Sequence, residues 1–260
     1  MEGKVAVVTG ATRGVGKGVA DELAEAGAIV YATGRTISEG TFSGNKRVIP
    51  LACDHAQDAE VETIFQRVNK DHGHLEVLVN SVWGGYENMM ENGEFTWMFP
   101  LWKQPLWQWD AMFAAGVRAT YVASAHATRM MVEQRSGLIV NISSWAAQKY
   151  LCNVAYGVSK AATDKMTADM SYELRDRNVA VVSLYPGLVR TEKVMEAAAF
   201  LDMSNSESPQ FIGRAVAALA SDPNIMQKSG QVLVAAALAL EYGFTDIDGK
   251  QPRPLKLEDL

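Results

Sequence analysis

The chain has 260 residues, of which 48% are hydrophobic and 21% are charged, and its formal net charge is -6. This composition predicts one soluble α/β domain with a substantial core, and the negative charge disfavours nucleic-acid binding. The longest apolar stretch, residues 232–240, is shorter than the roughly 20 residues that cross a bilayer, and residues 1–4 show no secretory signal. We therefore expect a cytoplasmic protein that binds neither nucleic acid nor a membrane.

The first predicted element is a strand at residues 5–8, which leads directly into a glycine-rich turn at residues 9–16 and then a helix. Strand, glycine turn and helix together form a dinucleotide cradle. Gly10 permits the tight turn, Gly14 lets the backbone approach a pyrophosphate, and Gly16 allows close packing of helix on strand. The N–H groups at the start of the helix are donors for phosphate oxygens.

A phosphate-binding P-loop is the alternative for this turn, because Gly16-Lys17 resembles the end of one. A P-loop needs a glycine five positions before Gly16, where Ala11 stands. It also needs Ser or Thr after the lysine, where Gly18 stands. The spacing therefore rejects a P-loop.

The end of the second predicted strand, residues 29–33, indicates which dinucleotide is bound. An acidic residue there would hydrogen-bond the ribose 2′-OH of NAD, but the sequence reads Thr33-Gly34-Arg35. Arg35 and Arg13 are suited to bidentate binding of the 2′-phosphate of NADP. Two solvent-exposed arginines are the alternative interpretation. The missing acid favours NADP (NADPH), with NAD as the second choice.

Strand and helix patterns alternate along the rest of the chain. Further strands are predicted at residues 48–53, 77–80, 138–142, 179–184 and 231–234. Residues 38–45 are too short and polar to hold a full crossover helix. The alternation predicts a single doubly wound Rossmann domain over residues 1–260, with a mostly parallel seven-stranded sheet flanked by helices.

Two segments are candidates for covering a bound substrate. Residues 82–110 hold five of the six Trp residues and follow the carboxyl end of a strand, where ligands bind in such sheets. An apolar wall for a hydrophobic substrate and packing against the core or a partner subunit are equally weighted interpretations. We assign Trp83, with Trp145 and Tyr150 opposite, to the substrate. Residues 192–208 are the second segment, and an ordinary surface loop is nearly as good a description of them.

A tyrosine and a lysine stand four residues apart in a segment with helical character. Tyr156 and Lys160 share one helix face at this spacing, and Ser143 and Ser144 end the preceding strand. An unperturbed tyrosine is ionised only to roughly one part in a thousand at neutral pH. A nearby ammonium and a serine hydroxyl would bring its pKa into the working range for acid-base catalysis. A Tyr and a Lys at this spacing are common in helices. The dinucleotide cradle elsewhere in the chain is what favours a catalytic role for this pair.

These motifs together resemble the short-chain dehydrogenase/reductase superfamily, over nearly the whole chain. The pattern of that superfamily is TGxxxGxG, an Asn after the fourth strand, a Ser, YxxxK, and Pro-Gly followed by Thr. The corresponding residues here are Gly10, Gly14, Gly16, Asn80, Ser144, Tyr156, Lys160, Pro186, Gly187 and Thr191. Residues 156–162, 221–225, 229–233 and 242–249 further resemble one subgroup of the superfamily.

The resemblance implies that Ser144, Tyr156 and Lys160 are catalytic. In reduction Tyr156 would donate a proton to a carbonyl oxygen, Ser144 would polarise that oxygen, and Lys160 would hold the nicotinamide ribose and depress the phenol pKa. In oxidation the tyrosinate would be the base. Ser143 competes with Ser144 on spacing, and we expect it to be a packing or capping hydroxyl.

The resemblance also extends the cofactor site. Asp54 would contact the adenine and Thr191 the carboxamide, whereas His55 is expected to be an incidental surface residue. The complete predicted cofactor-binding set is Gly10, Thr12, Arg13, Gly14, Val15, Gly16, Arg35, Asp54, Asn80, Tyr156, Lys160, Pro186, Gly187, Val189 and Thr191.

Two residues depart from the superfamily pattern. Gly116 stands where an Asn usually holds a water that relays protons from the lysine, so the relay is expected to be weaker or to use another site. Trp83 stands in Asn80-Ser81-Val82-Trp83 where the pattern has Asn-Asn-Ala-Gly, and it is expected to reshape the pocket floor.

No metal site is predicted. The two histidines of residues 72–74 lack further ligands at suitable spacing, and residues 246–249 resemble a calcium loop whose twelfth position is Leu257 instead of Glu.

The predicted function is an NADP(H)-dependent oxidoreductase, acting on CH–OH donors, that interconverts a carbonyl and an alcohol on a hydrophobic small molecule. The resemblance implies a homodimer or homotetramer. The alternatives are an NADP-binding redox sensor or scaffold with little turnover, and a related enzyme that acts on an enoyl or epimerisable substrate.

Overall fold

The computed structural model describes residues 1–42, 44–86 and 89–259. In these ranges the strands of the main sheet are β1 (Val5–Val8), β2 (Ile29–Gly34), β3 (Val48–Ala52), β4 (Val77–Asn80), β7 (Gly137–Ile142), β8 (Val179–Tyr185) and β9 (Val232–Val234). Within the described residues they form one seven-stranded sheet in the order β3-β2-β1-β4-β7-β8-β9. All of its pairings are parallel. The predicted doubly wound sheet is therefore confirmed, with strand ends within about one residue of those predicted.

The helices flank the sheet on both faces. They are α1 (Gly14–Glu25), α2 (Asp58–His72), α3 (Leu106–Ala111), α4 (Ala119–Gln134), α5 (Val154–Leu174), α6 (Glu192–Glu196), α7 (Pro209–Ser221) and α8 (Ala235–Tyr242). A π-helical segment, Met112–Arg118, joins α3 to α4. Between β2 and β3 the described residues hold only a 3-10 turn, Glu39–Phe42, as the short polar stretch predicted; residue 43 lies outside the described residues.

The core lies on the two faces of the sheet. All four residues of β1 are buried, and they alternate between two apolar clusters because successive strand side chains point to opposite faces. One cluster includes Leu23 of α1 and Phe211 of α7, and the other includes Phe65 of α2 and Met131 of α4. The strand order reverses between β1 and β4, so their carboxyl ends form the crevice where such sheets bind ligands.

The Trp-rich insert, residues 82–110, follows the carboxyl end of β4, which borders that crevice. A short antiparallel hairpin, β5 (Met90–Glu91) and β6 (Glu94–Phe95), lies at its start. Gln108 of α3 joins two parts of the insert, because its Nε2 donates to Thr96 Oγ1 at 2.8 Å. Both residues are buried. Residues 87 and 88 of the insert lie outside the described residues.

Neither a membrane-spanning helix nor a metal-binding cluster occurs in the described ranges. No helix there is both long and apolar enough to cross a membrane. No group of three or more His, Cys, Asp or Glu residues there is arranged to hold a metal ion.

Candidate active site

Helix α5 brings Tyr156 and Lys160 beside the end of β7. Asn153 caps the helix, and its side-chain oxygen accepts a hydrogen bond from the Tyr156 N–H at 3.0 Å. Such a cap satisfies one of the free N–H groups of the first turn and fixes where the helix begins. One turn later, Lys160 Nζ donates to the backbone oxygen of Ile142 at 3.1 Å. The cap and this bond fix the two side chains against the sheet.

The two serines after β7 have different surroundings. Ser143 is buried and its hydroxyl donates to the Lys160 backbone oxygen at 3.3 Å, so it has a packing role. Ser144 Oγ accepts a hydrogen bond from the Ala146 N–H at 3.2 Å and also interacts with the Tyr156 phenol. This geometry favours Ser144 over Ser143 as the partner of Tyr156.

The electrostatics of Tyr156 differ from the sequence-based expectation. Burial raises the pKa of Tyr156, while its interactions with Ser144 and Tyr86 lower it without cancelling the effect of burial. Lys160 Nζ lies 5.8 Å from the phenol ring centre, and its hydrogen bond goes to the Ile142 backbone oxygen. The pKa of Tyr156 is therefore raised in this structure, and the Lys160 ammonium is not among the groups that lower it.

Lys160 is itself perturbed. Burial lowers the pKa of Lys160 to about 8, and the charge of Asp164 acts in the opposite direction. Its ammonium lies 4.3 Å from the centre of the Trp83 ring, which is the geometry of a cation–π contact. The lysine is thus held between a backbone carbonyl and an indole face.

The glycine turn has the shape that a dinucleotide requires. Gly10 and Gly14 have positive φ angles of 67° and 57°, which favour glycine. A Cβ atom on Gly16 would collide with the Gly10 carbonyl oxygen, so helix and turn are as close as the sequence predicted. The Gly14 N–H donates to the Glu192 carboxylate, at 3.1 Å from Oε2. A carboxylate oxygen thus already uses one of the N–H groups that would bind a phosphate, so the turn fits an anionic ligand.

The loop after β8 completes this side of the site. Thr191 Oγ1 caps α6 by accepting from the Val194 N–H, and its Cγ2 would lie 3.3 Å from a Cβ on Gly14. The Gly187 N–H donates to Glu207 Oε2 at 2.8 Å, and a β-bridge joins Val189 to the same Glu207. The structure therefore brings Thr191 against the glycine turn, whereas Gly187 and Val189 contact Glu207.

Arg13, Arg35 and Asp54 are the residues predicted to bind the adenosine part of the cofactor. Arg13 and Arg35 are both exposed, and a Cβ on Gly34 would collide with Thr12 Oγ1, so the end of β2 contacts the glycine turn. Asp54 is half-buried and accepts a hydrogen bond from the Ala56 N–H at 3.0 Å.

His55 was wrongly expected to be an incidental surface residue. It is 5% exposed, and its Nε2 is 2.8 Å from Thr33 Oγ1. Burial lowers the pKa of His55 to about 4, so the imidazole is neutral at physiological pH. Its Nδ1 has no hydrogen-bond partner within the described residues. No sequence pattern indicated this burial, since an isolated histidine after a strand has no pattern of its own.

Asn80 lies at the carboxyl end of β4 and links three elements. Its Nδ2 donates to Asn141 Oδ1 at 2.9 Å and to Ser124 Oγ at 3.0 Å. The side chain therefore joins β4 to β7 and α4. Its Oδ1 has no partner within the described ranges.

Glu207 is a functional candidate that sequence reasoning missed. The polar run Ser206-Glu207-Ser208 is typical of a surface loop, yet all three residues are buried. Ser208 caps α7, and Asp246 accepts hydrogen bonds from both the backbone N–H and the hydroxyl of Ser208. Burial raises the pKa of Glu207 to about 7, against the lowering effect of the Gly187 N–H. The surface-loop interpretation of this segment's end is therefore wrong.

The Trp-rich insert places only part of its aromatic side chains at Tyr156. The ring centres of Trp83 and Trp97 lie 5.4 and 5.3 Å from that of Tyr156, and Tyr86 lies 5.3 Å from Trp97. Trp102, by contrast, is 82% exposed. The aromatic group formed by Trp83, Tyr86 and Trp97 is called the aromatic wall below.

The other two predicted substrate residues are placed differently. Trp145 packs edge-on against Tyr185, with ring centres 5.2 Å apart, and its indole N–H has no partner within the described residues. Tyr150 is 68% exposed. The structure therefore does not bring Tyr150 into the aromatic wall, and Tyr86 and Trp97, known from the sequence only as members of the insert, take that position.

A parallel sheet that reverses its order above a glycine turn is the fold of dinucleotide-binding enzymes, and here a tyrosine, a serine and a lysine meet at the end of β7. This combination places the protein among the Rossmann-fold oxidoreductases. The family model for short chain dehydrogenase matches residues 4–202, so the chain belongs to the short-chain dehydrogenase/reductase family.

Relatives agree with the subgroup that the sequence motifs suggested. The chain is 41% identical to mouse dehydrogenase/reductase SDR family member 1, over 98% of this chain and 86% of the mouse protein. The human protein of the same name is 39% identical, over 96% of this chain and 85% of the human one. The predicted resemblance to this subgroup is confirmed.

A solved structure titled "ElxO with NADP Bound" has the same fold. It superposes with a TM-score of 0.77 at 22% identity, and the match covers 90% of this chain and 97% of that one. At this identity the likeness extends to the fold alone.

Proposed function

We propose that the protein is an NADP(H)-dependent reductase of an apolar carbonyl compound, with Tyr156 as the proton donor. The observation that carries the proposal is the environment of the Tyr156 phenol, which is half-buried and lies beside Ser144 and two indole rings. A half-buried acid next to a hydroxyl and an apolar wall suits proton delivery to a carbonyl oxygen on a hydrophobic molecule.

The nicotinamide of the bound cofactor supplies the hydride in such a reaction. Tyr156 then gives its proton to the carbonyl oxygen as that oxygen gains negative charge, and Ser144 stabilises the same oxygen by donating a hydrogen bond. Lys160 carries positive charge beside this group, and with a pKa of about 8 it remains mostly protonated at neutral pH. Because burial keeps Tyr156 protonated, the site is better prepared for reduction than for oxidation, which needs the tyrosinate.

The preference for NADP rests on the end of β2. Gly34 and Arg35 stand where NAD-dependent members of this fold carry an acid, and Arg13 extends from the start of α1. Two exposed guanidinium groups bind a phosphate better than a hydroxyl, because each forms paired, charge-assisted hydrogen bonds.

The substrate class follows from the aromatic wall. Trp83, Tyr86 and Trp97 present ring faces and edges next to Tyr156, and such surfaces bind flat or hydrophobic molecules through apolar burial and ring stacking. We infer an aromatic or extended aliphatic ketone, aldehyde or quinone as the substrate.

The protein also presents apolar surface on the outer helices. Tyr121 of α4 is 61% exposed, and Tyr172 of α5 is 78% exposed. We infer that these helices pair with a second copy of the chain, as large exposed aromatic side chains are typical of interfaces. Light scattering of the purified protein would give two or four times the monomer mass if so, and the monomer mass if not.

The test of the function compares wild type with Tyr156→Phe. NADPH and NADH consumption are followed with a panel of ketones, aldehydes and quinones, and the products are identified. An alcohol product that the variant fails to form supports the proposal. A saturated carbonyl or an epimer would instead indicate an enoyl reductase or epimerase. Tight NADP binding in both proteins, with no turnover of any panel member, would indicate a sensor or scaffold.

A further inference from the structure

The Lys160 ammonium is buried, and its surroundings are unusual for a charged group. The residue is 8% exposed, and Nζ donates one hydrogen bond, to the Ile142 backbone oxygen at 3.1 Å. An ammonium has three donors, and burying its charge is costly unless other groups stabilise it. The Trp83 ring centre lies 4.3 Å from Nζ, much nearer than the 5.8 Å of the Tyr156 ring. The indole face is therefore the principal aromatic partner of this charge.

The position of the indole depends on Gly116. A Cβ atom at position 116 would lie 2.9 Å from Trp83 Cζ3 and 3.0 Å from Cε3, closer than real Cβ contacts. Gly116 is buried within the π-helical segment Met112–Arg118, which gives the backbone little freedom to retreat. Even an alanine there would push the indole away from its place.

Trp83 also contacts the proton donor. Its ring meets that of Tyr156 edge-to-face at 5.4 Å, with an interplanar angle of 83°. Trp83 therefore touches both members of the Tyr156 and Lys160 pair. The two departures from the superfamily pattern, at positions 83 and 116, are in contact with each other and form one feature.

We propose that Trp83 is a positioning residue for Lys160, and that its indole face holds the ammonium through a cation–π contact in space that only glycine at position 116 leaves open. This deepens the proposed function and rests on it, because Lys160 is the lysine of the proposed catalytic group.

Packing alone is the competing explanation, and it makes a different prediction. A wall residue needs only apolar volume, so leucine would replace tryptophan adequately. A cation–π contact needs an aromatic face, so phenylalanine would preserve part of the effect and leucine would not. Because the contact favours the charged form of Lys160, its loss lowers the pKa of the lysine.

The experiment titrates Lys160 directly in the cofactor-free, full-length protein. Lysine labelled at Cε reports the charge of each side chain by NMR, and Lys160→Met identifies the resonance of Lys160. The variants are Trp83→Leu, Trp83→Phe and Gly116→Ala, and the matched control is Trp102→Leu, an exposed tryptophan of the same insert. Circular dichroism checks that each variant is folded.

We expect the Lys160 pKa to fall by about one unit in Trp83→Leu and by less in Trp83→Phe. Gly116→Ala should shift it in the same direction as Trp83→Leu, because it displaces the indole without removing it, and Trp102→Leu should leave it unchanged. An unchanged or raised pKa in Trp83→Leu would overturn the proposal, as would equal shifts in the Leu and Phe variants.

Should Trp83→Leu fail to fold, Gly116→Ala decides alone: a lowered Lys160 pKa supports the proposal, and an unchanged one overturns it. The titration needs neither cofactor nor substrate. Failure of the reductase function would therefore leave its result intact, and failure of this proposal would leave the reductase function standing.

Discussion

Removing the Glu192 side chain should tighten NADP binding. The Glu192 carboxylate accepts a hydrogen bond from the Gly14 N–H, at 3.1 Å from Oε2 and 3.4 Å from Oε1. That N–H begins α1, where the helix dipole and the free N–H groups favour a phosphate. The cofactor therefore has to displace a carboxylate that already uses one of these donors.

The magnitude is set by the exposure of Glu192. The residue is exposed, so its hydrogen bond and charge contribute only about 1 kcal/mol, which corresponds to roughly a fivefold change in Kd. We expect Glu192→Ala to bind NADP about fivefold more tightly than wild type. Glu192→Gln should lie between them, because the amide keeps an acceptor and loses the charge.

The assay is a titration with NADP, followed by tryptophan fluorescence or calorimetry, at low and high salt. Glu196→Ala is the control, since Glu196 lies on the same helix and pairs with Lys193 instead of the glycine turn. The difference between Glu192→Ala and wild type should shrink as salt screens the exposed charge. Equal or weaker NADP binding by Glu192→Ala would refute the reasoning.

Three further predictions concern other parts of the cofactor site. Arg35→Ala should weaken NADP binding about tenfold and leave NAD binding unchanged, measured by the same titration; equal losses for both would contradict the role given to the 2′-phosphate. Burial raises the folded-state pKa of Glu207 to about 7, so wild type loses stability as pH rises from about 4.5 through 7, by up to about 3 kcal/mol. Glu207→Gln should not lose stability over this pH range, because the amide does not titrate. A thermal melting temperature that falls equally with pH in both proteins would contradict this role of Glu207. Gly16→Ala should lower the free energy of unfolding by about 1–3 kcal/mol, because its Cβ collides with a carbonyl oxygen. Gly40→Ala, whose Cβ would be in ordinary contact with Ser38 Oγ at 3.8 Å, is the control in urea denaturation, and equal effects would be inconsistent with the packing described.

Most of the fold was predictable because the sheet is buried on both faces. Strands such as Val77–Asn80 and Val179–Tyr185 are short apolar runs, and their pattern does not depend on distant contacts. Gly16 was also predictable, since the close approach of a helix to a turn excludes a Cβ atom. The apolar strands and the glycine turn depend on neighbouring residues, so a short stretch of sequence is enough to predict them.

The electrostatics of the site were not predictable in the same way. The expectation that Lys160 lowers the pKa of Tyr156 assumed that two residues one turn apart point toward each other. In the structure the ammonium turns to Trp83 and to the Ile142 carbonyl, and burial dominates the phenol. Helical spacing fixes which face a side chain is on, and tertiary packing fixes where its end lies.

Buried polar residues were the other failure. Glu207 and His55 occur in polar segments, and polarity ordinarily indicates exposure. Glu207 is buried because the loop after β8 needs a partner for the Gly187 N–H, and His55 because Thr33 gives it a hydrogen bond beside the sheet. Such partners are distant in sequence, 20 and 22 residues away respectively, and no local pattern reports them.

The aromatic residues were predicted as a group and not individually. The insert was identified by its composition, and the structure selects Trp83, Tyr86 and Trp97 from it as the residues around Tyr156. Trp102 has the same chemistry and lies in solvent. Trp83 and Trp102 differ because the fold of the insert places one beside Tyr156 and the other at the surface.

The most direct test of the central claim is NADPH consumption by wild type and Tyr156→Phe over a panel of hydrophobic ketones, aldehydes and quinones. The account predicts that wild type reduces at least one of them to an alcohol and that Tyr156→Phe, which still binds NADPH, loses this turnover at least a hundredfold, the usual range for a proton-transfer residue. Turnover that survives in Tyr156→Phe would contradict the account, because it would remove the phenol from the reaction.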